Sequence, residues 1–356
     1  MPYHRIIIDA MGGDNAPEEI IAGAAAACRK SPTIFCLFVG QEERIKPLIL
    51  EHEIASGRWA IEAAADVIGM NEHPREAVEG KPDASINVAA RLIQNDRGDA
   101  LVSAGNTGAT ILSCSKYIPR MAGIERAILA AILPVAKTKR SDPGISILLD
   151  VGATLQATVD QLMSFAVMGV QYARHVMAIE NPRVGLLNIG EEDTKGHEIM
   201  VLTNQALREN HSINFIGNIE GKDLLRGIAD VIVTEGFTGN IVLKCIEGMA
   251  EMTIQTGKKI WRKNLLSKLG LTMLSPILKK IKKRMDYTEY GGAPILGFQK
   301  LVIKAHGRSK AKAIKNALLF AEKSIQSSLV QHIEQSINDV NFHRSSNNLK
   351  PVQAIY

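Results

Sequence analysis

Short turns rich in glycine, small hydroxyl residues and amides recur directly behind apolar runs of this chain, a combination suited to holding an anion on backbone N–H groups. The best of them is SAGNTGAT, in which Gly105 and Gly108 free the backbone while Ser103, Asn106 and Thr107 add side-chain donors where a helix starts. It is neither G-x-G-x-x-G nor a Walker A sequence, so a bound nucleotide is not indicated. The opening IIIDAMGGDNAP puts Asp9 at a strand end, Gly12 and Gly13 in a tight turn, and Asp14 and Asn15 ahead of a helix. The two glycines allow backbone to approach a ligand, although the same residues also make a plain, well-capped turn. LNIGEEDTKGHE, residues 187 to 198, gathers Asn188, Glu191, Glu192, Asp193, Lys195 and His197, and IGNIEG adds the amide of Asn218. TEGFTGN brings Glu235, Thr238 and Asn240, EYGGAPILG offers another close backbone approach, and HGRS supplies His306 and Arg308 before a helix. Within HGRS, His306 is a proton carrier that works near neutral pH. A solvated loop accounts equally well for residues 187 to 198, and a satisfied polar residue for His306.

Other chemistries find little to build on. There is no G-x-S-x-G elbow, no Ser-His-Asp order and no H-E-x-x-H, so a covalent hydrolase or a metalloprotease is not suggested. Cys114 lies in a helix-like stretch and reads as core. Cys28, Cys36, Cys114 and Cys245 form no C-x-x-C pair, which argues against a zinc site or a disulfide framework and for a reducing compartment. We therefore expect no metal and no cofactor.

The elements that must position these turns follow from periodicity. Apolar runs at Arg5 to Asp9, Ile34 to Val39, Ala100 to Ser103, Ile145 to Asp150, Val184 to Asn188, Asn214 to Gly217 and Val231 to Thr234 alternate with helix-like segments. That alternation predicts a largely parallel sheet with helices on both faces, and ligands in such sheets bind beyond the carboxyl ends of strands. All the turns are thus expected on one rim. A last long helix is expected from about Ser309 to Ile337, and residues 339 to 356 read as a polar tail. Pro and Gly are spread evenly, so residues 1 to 338 are expected to form a single α/β/α domain.

With 356 residues, 46% hydrophobic and 22% charged, the chain has the composition of a globular protein with a sizeable core. No basic, apolar leader opens it, and no uncharged stretch reaches the ~18 residues of a membrane span, so a cytoplasmic location is expected. The net charge of +5 hides an asymmetry, because residues 255 to 285 hold ten basic side chains and no acid. They are Lys258, Lys259, Arg262, Lys263, Lys268, Lys279, Lys280, Lys282, Lys283 and Arg284, interleaved with Trp261 and many aliphatic residues. The segment reads as an amphipathic helical hairpin broken near Gly270 and Pro276, interrupting the α/β rhythm. Trp261 is its one aromatic residue and no reader motif accompanies it, so nucleic acid is not the expected partner.

Taken in order and spacing, DAMGGDNAP, SAGNTGA, LDVGA, NPRVGLLNIGEEDTKG, NFIGNIEG, ADVIVTEGFTGN and EYGGAPILG resemble the bacterial phosphate acyltransferase family over about residues 4 to 325. The resemblance implies a homodimeric three-layer α/β/α sandwich, similar to phosphate acetyltransferases and to the isocitrate and isopropylmalate dehydrogenase fold. It implies transfer of a long-chain fatty acyl group from acyl carrier protein to inorganic phosphate, giving acyl phosphate that a membrane glycerol-3-phosphate acyltransferase consumes in phospholipid synthesis. It also implies a cytoplasmic protein peripherally associated with the inner face of the cell membrane. One block departs from the family pattern Asp-Val-Gly-Ala-Asn-x-Asp-Cys: this chain has Thr154, Gln156 and Ala157 at its last positions.

Phosphate is itself a competent nucleophile, so such an enzyme must hold it against the thioester carbonyl rather than attack through a side chain of its own. On that expectation the 103 to 108 turn binds phosphate, with Asp9, Gly12, Gly13, Asp14, Glu235, Thr238, Asn240 and Arg308 around it. Asn188, Lys195, Asn218 and His306 are the candidates for catalysis. The basic segment, with Trp261, Arg262, Lys263, Lys268, Lys279, Lys280, Lys282, Lys283 and Arg284, is expected to meet acidic acyl carrier protein or an anionic membrane surface. A phosphate acetyltransferase acting on acyl-coenzyme A, a dehydrogenase of the related fold, and a membrane scaffold without catalysis are the alternatives.

Overall fold

Among the described residues, eleven runs rich in Ile, Val, Leu and Ala become strands of one sheet, and their largely apolar character follows from helices covering both faces. The computed structural model describes residues 3–137, 142–263, 267–270, 272–275 and 291–346. The strands are β1 (His4–Asp9), β2 (Ile34–Gly40), β3 (Trp59–Ala63), β4 (Ala100–Ser103), β5 (Ile128–Pro134), β6 (Ile145–Leu149), β7 (Arg183–Leu187), β8 (Asn214–Ile219), β9 (Val231–Val233), β10 (Ala293–Leu296) and β11 (Leu301–Lys304). Their order across the sheet is β3-β2-β1-β4-β11-β10-β5-β6-β9-β7-β8.

One face is covered by α1 (Glu18–Lys30), α6 (Val159–His175) and the two C-terminal helices, α9 (Ala311–Gln326) and α10 (Leu329–Ser346). The other carries α3 (Pro74–Gly80), α4 (Ser85–Gln94), α5 (Thr107–Tyr117) and the inner side of α8 (Gly236–Lys263). Two helices, α2 (Glu42–Glu51) and α7 (Glu198–Glu209), complete the set named here. This is the expected three-layer α/β/α arrangement.

The expectation of a single rim needs correction. β1, β2, β3, β4 and β11 run parallel, but β10 pairs antiparallel with both β11 and β5, and β5 pairs antiparallel with β6. Strands β6, β9, β7 and β8 consequently run against the first half. Register brings the two sets of carboxyl ends towards each other. Lys304 pairs with Ala293, Ile295 with Leu129, and Leu149 with Ala130, so the ends of β11 and β6 lie almost level across β10 and β5.

Two further readings change. The expected helix from Ser309 to Ile337 is divided between α9 and α10 at Ser327–Ser328, where Ser328 has φ 50°, and α10 runs on to Ser346, into the stretch read as a tail. The start of the basic segment continues α8 without a break as far as Lys263, because nothing between Gly236 and that point interrupts helical hydrogen bonding. Residues 267–270 and 272–275 are also helical. The expected break near Pro276, and Lys279, Lys280, Lys282, Lys283 and Arg284, lie outside the described residues, as does the side chain of Lys263.

Candidate active site

Three turns at the carboxyl ends of β1, β4 and β11 pack against one another, and glycine makes the approach possible. A Cβ on Gly12 would sit 2.3 Å from Asp9 Oδ2 and 2.8 Å from the Gly105 nitrogen. Gly13 has φ 115°, and the next residue, Asp14, donates its N–H to the Gly307 carbonyl at 2.9 Å. Asp9 is buried on the cavity-side face, where its carboxylate accepts the hydroxyls of Ser85 at 2.6 Å and Ser103 at 2.7 Å. Burial holds its pKa above the ordinary carboxylate value, against the opposing pull of those two hydroxyls and the Met11 N–H. Ser103 Oγ in turn accepts the Gly105 N–H at 3.0 Å, fixing the start of the SAGNTGAT turn.

Asn106 is employed differently from its expected phosphate contact. Its Oδ1 caps α5 by accepting the Ala109 N–H at 3.1 Å, and its Nδ2 donates to the carbonyls of Met70 and Glu72. The amide thus ties the 70–72 loop to the amino end of the helix. That leaves the first residues of α5, Thr107 and Gly108, facing the space beside it.

A second group of turns closes the other side. The carboxylate of Asp150, fully buried after β6, accepts N–H groups from Leu129, Gly152, Ala153 and Thr154, the shortest at 2.8 Å from Thr154. Burial raises its pKa in spite of these bonds. Thr154, where the family pattern has an amide, accepts the Gly236 N–H at 3.0 Å and so satisfies a donor in the first turn of α8. Only glycine fits at Gly236 and Gly239, since added Cβ atoms would lie 2.4 Å from the Thr154 carbonyl oxygen and 1.9 Å from that of Asp150.

Between the two groups, over β5 and β10 and flanked by α5 and α8, lies a cavity of about 610 Å³. One wall is apolar, from Met70, Ile111, Leu129, Ile132, Val151 and Leu243. The other is polar, with the cations Lys244, Lys304 and Arg308 set against the acids Asp14 and Glu247, beside Asn240 and His306. Among the described residues that line it, Thr107 carries the single hydroxyl and there is no cysteine and no serine. His306 is half-buried and its Nδ1 accepts the Arg308 N–H at 3.1 Å, which assigns the proton of the neutral ring to Nε2. Burial lowers its pKa, so the ring is neutral near pH 7. Lys244 and Glu247 form an ion pair of 2.7 Å at the mouth.

Of the expected site residues, Asp14, Thr107, Gly108, Asn240, His306 and Arg308 line this cavity. Asp9, Gly12, Gly13, Ser103, Gly105 and Asn106 build its floor from behind. Glu235 accepts the Thr238 hydroxyl at 3.1 Å at the start of α8. Asn188, Lys195 and Asn218 lie elsewhere, at the ends of β7 and β8, with β6 and β9 between them and β5. There Asn188 donates to the Lys195 carbonyl, and Asn218 donates to the Glu192 carbonyl while accepting from Asn204. Their amides hold the 188–196 loop in shape. The nearby carboxylates of Glu191, Glu220 and Asp223 lie within 4.8 Å of one another, but Lys222 pairs with the first two and Arg226 with the third.

Sequence reasoning missed Lys304. It belongs to a strand, LVIK, that was not read as one, and only its pairing with β4 places it beside Ser103. Trp261 is 43% exposed, and Arg262 and Lys268 are exposed. Phe237, Ile241, Met249 and Met252 add an exposed apolar stripe nearer the start of α8, and Cys245 is exposed beside it rather than in core. No helix among the described residues is long and apolar enough to cross a membrane.

A family model described as "Fatty acid synthesis protein" matches residues 4–332. The chain is 46% identical over 334 residues to a phosphate acyltransferase of Heliobacterium modesticaldum, covering 94% of this chain and 97% of that one. It is 42% identical over 336 residues to a phosphate acyltransferase of Dictyoglomus turgidum, covering 94% and 98%. Among solved structures, a phosphotransacetylase from Streptococcus pyogenes superposes with a TM-score of 0.57 at 16% identity, over 94% of each chain. A branched-chain phosphotransacylase from Enterococcus faecalis gives 0.54 at 14% identity, over 90% of this chain and 99% of that one. At such identities the structural likeness speaks for the fold alone.

Proposed function

The chain belongs to the phosphate acyltransferase family of fatty acid and phospholipid synthesis, and from that membership we propose that it moves a long-chain acyl group from acyl carrier protein to inorganic phosphate. The observation that carries the reading is the cavity itself. It joins an apolar wall to a polar one with three cations and two acids at a helix amino end, and among the described residues it offers no serine or cysteine nucleophile. Such a space suits a reaction whose nucleophile arrives with the substrate.

In the reaction a phosphate oxygen attacks the thioester carbonyl carbon, and the carbonyl becomes a tetrahedral oxyanion. The C–S bond then breaks, the thiolate leaves with the electron pair and takes a proton from solvent, and the acyl phosphate remains. His306 lines the cavity beside the carbonyl, and the amino end of α5 adds backbone donors for the oxyanion. Holding phosphate against the carbonyl can lower the barrier by about 7 to 11 kcal/mol without any covalent intermediate. Acyl phosphate is a mixed anhydride, reactive enough to acylate the hydroxyl of glycerol 3-phosphate on a membrane acyltransferase downstream.

The exposed basic stretch of α8, with Lys258, Lys259 and Arg262 beside Trp261, supports docking of acidic acyl carrier protein and peripheral contact with anionic lipid. The exposed Phe237, Ile241, Met249 and Met252 support a homodimer through the first half of the same helix. Incubating the protein with long-chain acyl carrier protein or the matching acyl-coenzyme A, with phosphate present, tests the reading and separates the two carriers. Comparable rates with both thioesters would contradict the carrier assignment.

A further inference from the structure

Three neighbouring parallel strands end in Asp9, Ser103 and Lys304, and register sets them in a row, Asp9 opposite Ser103 and Ser103 opposite Lys304. Alternation puts all three side chains on the cavity face, because Ile7, Leu101 and Val302, two residues earlier, belong to the apolar cluster of that face. Within the row Ser103 is committed to Asp9. Lys304 is not committed in the same way. It is 5% exposed and lines the cavity, yet of the three N–H donors on its ammonium one is seen to be used, towards the Ala305 carbonyl oxygen. Among the described residues no carboxylate makes an ion pair with it, and Asp9 and Asp14 act on it only through space.

A buried cation with unsatisfied donors is costly to keep, and the cavity is the side from which a partner can reach it. The amino end of α5 borders the same cavity at Thr107 and Gly108 and favours negative charge there independently. Resting on the acyl-transfer reading above, we propose that Lys304 is the residue that binds the phosphate acceptor at the floor of the cavity. The exposed cations Lys244 and Arg308 then remain at the mouth.

The site carries its own pH signature. Burial pushes Lys304 down to about 8, with Asp9 and Asp14 opposing that shift. Its other charged neighbours are His306 and Arg308 on the following turn and Lys244 and Glu247 on α8. Phosphate binds the protonated form, so its affinity should fall as the pH rises through about 8 and beyond.

The test is titration calorimetry with inorganic phosphate alone, together with steady-state kinetics, on the full chain and on Lys304→Met. The variant should raise the phosphate Kd and KM by about ten- to a hundredfold while leaving the KM for the thioester within about twofold, and it should abolish the alkaline weakening. An unchanged phosphate Kd in a cooperatively folded variant, or equal losses for phosphate and thioester, would overturn the proposal. Should Lys304→Met fail to fold, the wild-type pH profile decides: a phosphate Kd that stays flat from neutral pH to well above 8 overturns it. Lys304-dependent phosphate binding without any acyl phosphate would refute the acyl-transfer reading and leave this site standing. Acyl phosphate formed with a Lys304-independent phosphate KM would do the reverse.

Discussion

Replacing Lys304 with Met should make the protein more stable near neutral pH, and the gain should vanish as the solution approaches the ordinary lysine range. In the unfolded chain this lysine keeps its proton up to 10.5, whereas the folded protein releases it at about 8. Between those values the unfolded state binds more protons, so the stability of the wild type rises with pH across the window and is lowest below it. Lowering the pKa from 10.5 to about 8 corresponds to a penalty of about 3 kcal/mol, fully present below pH ~8. Met has nearly the same length and needs no hydration, but Asp9 and Asp14 lose a nearby cation, so a net gain of ~1–3 kcal/mol is expected at neutral pH. Urea unfolding of both proteins in a phosphate-free buffer, repeated from neutral to strongly alkaline pH, measures the difference. The other lysines and the tyrosines titrate alike in both proteins and cancel. A variant less stable than wild type at neutral pH, or a difference that stays constant as the pH rises, would refute the argument that the buried ammonium is held at a cost for function.

Thr154→Val keeps the shape but removes the oxygen that accepts the Gly236 N–H, so thermal unfolding should show a loss of ~1–3 kcal/mol, and Thr154→Asn should recover much of it. Gly12→Ala forces a methyl group into the Asp9 carboxylate and the Gly105 nitrogen, so it should cost ~1–3 kcal/mol and weaken phosphate binding in the same samples. Reversing Lys258, Lys259 and Arg262 to Glu should weaken sedimentation with anionic liposomes or binding to acyl carrier protein by about tenfold or more, since each basic residue near a charged surface contributes ~1 kcal/mol. Undiminished binding to both at physiological salt would remove the basic face from the account.

Most of the strands legible in the sequence, β1, β2, β4, β6, β7 and β9, read as apolar runs because nearly all of their positions meet a helix or a neighbouring strand. The partly exposed edge strand β8 was legible as well, whereas β5 was missed although it is buried almost throughout. β3 escaped notice because it is a half-exposed edge. The short β10 and β11 were hidden by the glycines before them and by a terminal lysine that looks like a solvent-facing strand end. That omission mattered, since three successive antiparallel pairings, β11 with β10, β10 with β5 and β5 with β6, turn half of the sheet around. β6 and β9 then stand between the cavity and the ends of β7 and β8 that carry Asn188, Lys195 and Asn218, while the pairing of β11 with β4 brings Lys304 into it. The turns of the site were visible from their glycines, but which polar atoms remain available was not. Asn106 has the composition of a phosphate ligand and spends its amide on a helix cap three residues on and on two carbonyls 34 and 36 positions back in the chain.

Whether inorganic phosphate is the nucleophile is read out by following free thiol released from a long-chain acyl carrier protein while trapping acyl phosphate as its hydroxamate, with phosphate present and absent. Thiol release should require phosphate and match the trapped product mole for mole. Release at the same rate without phosphate would mean that water is the acceptor, and would contradict that expectation.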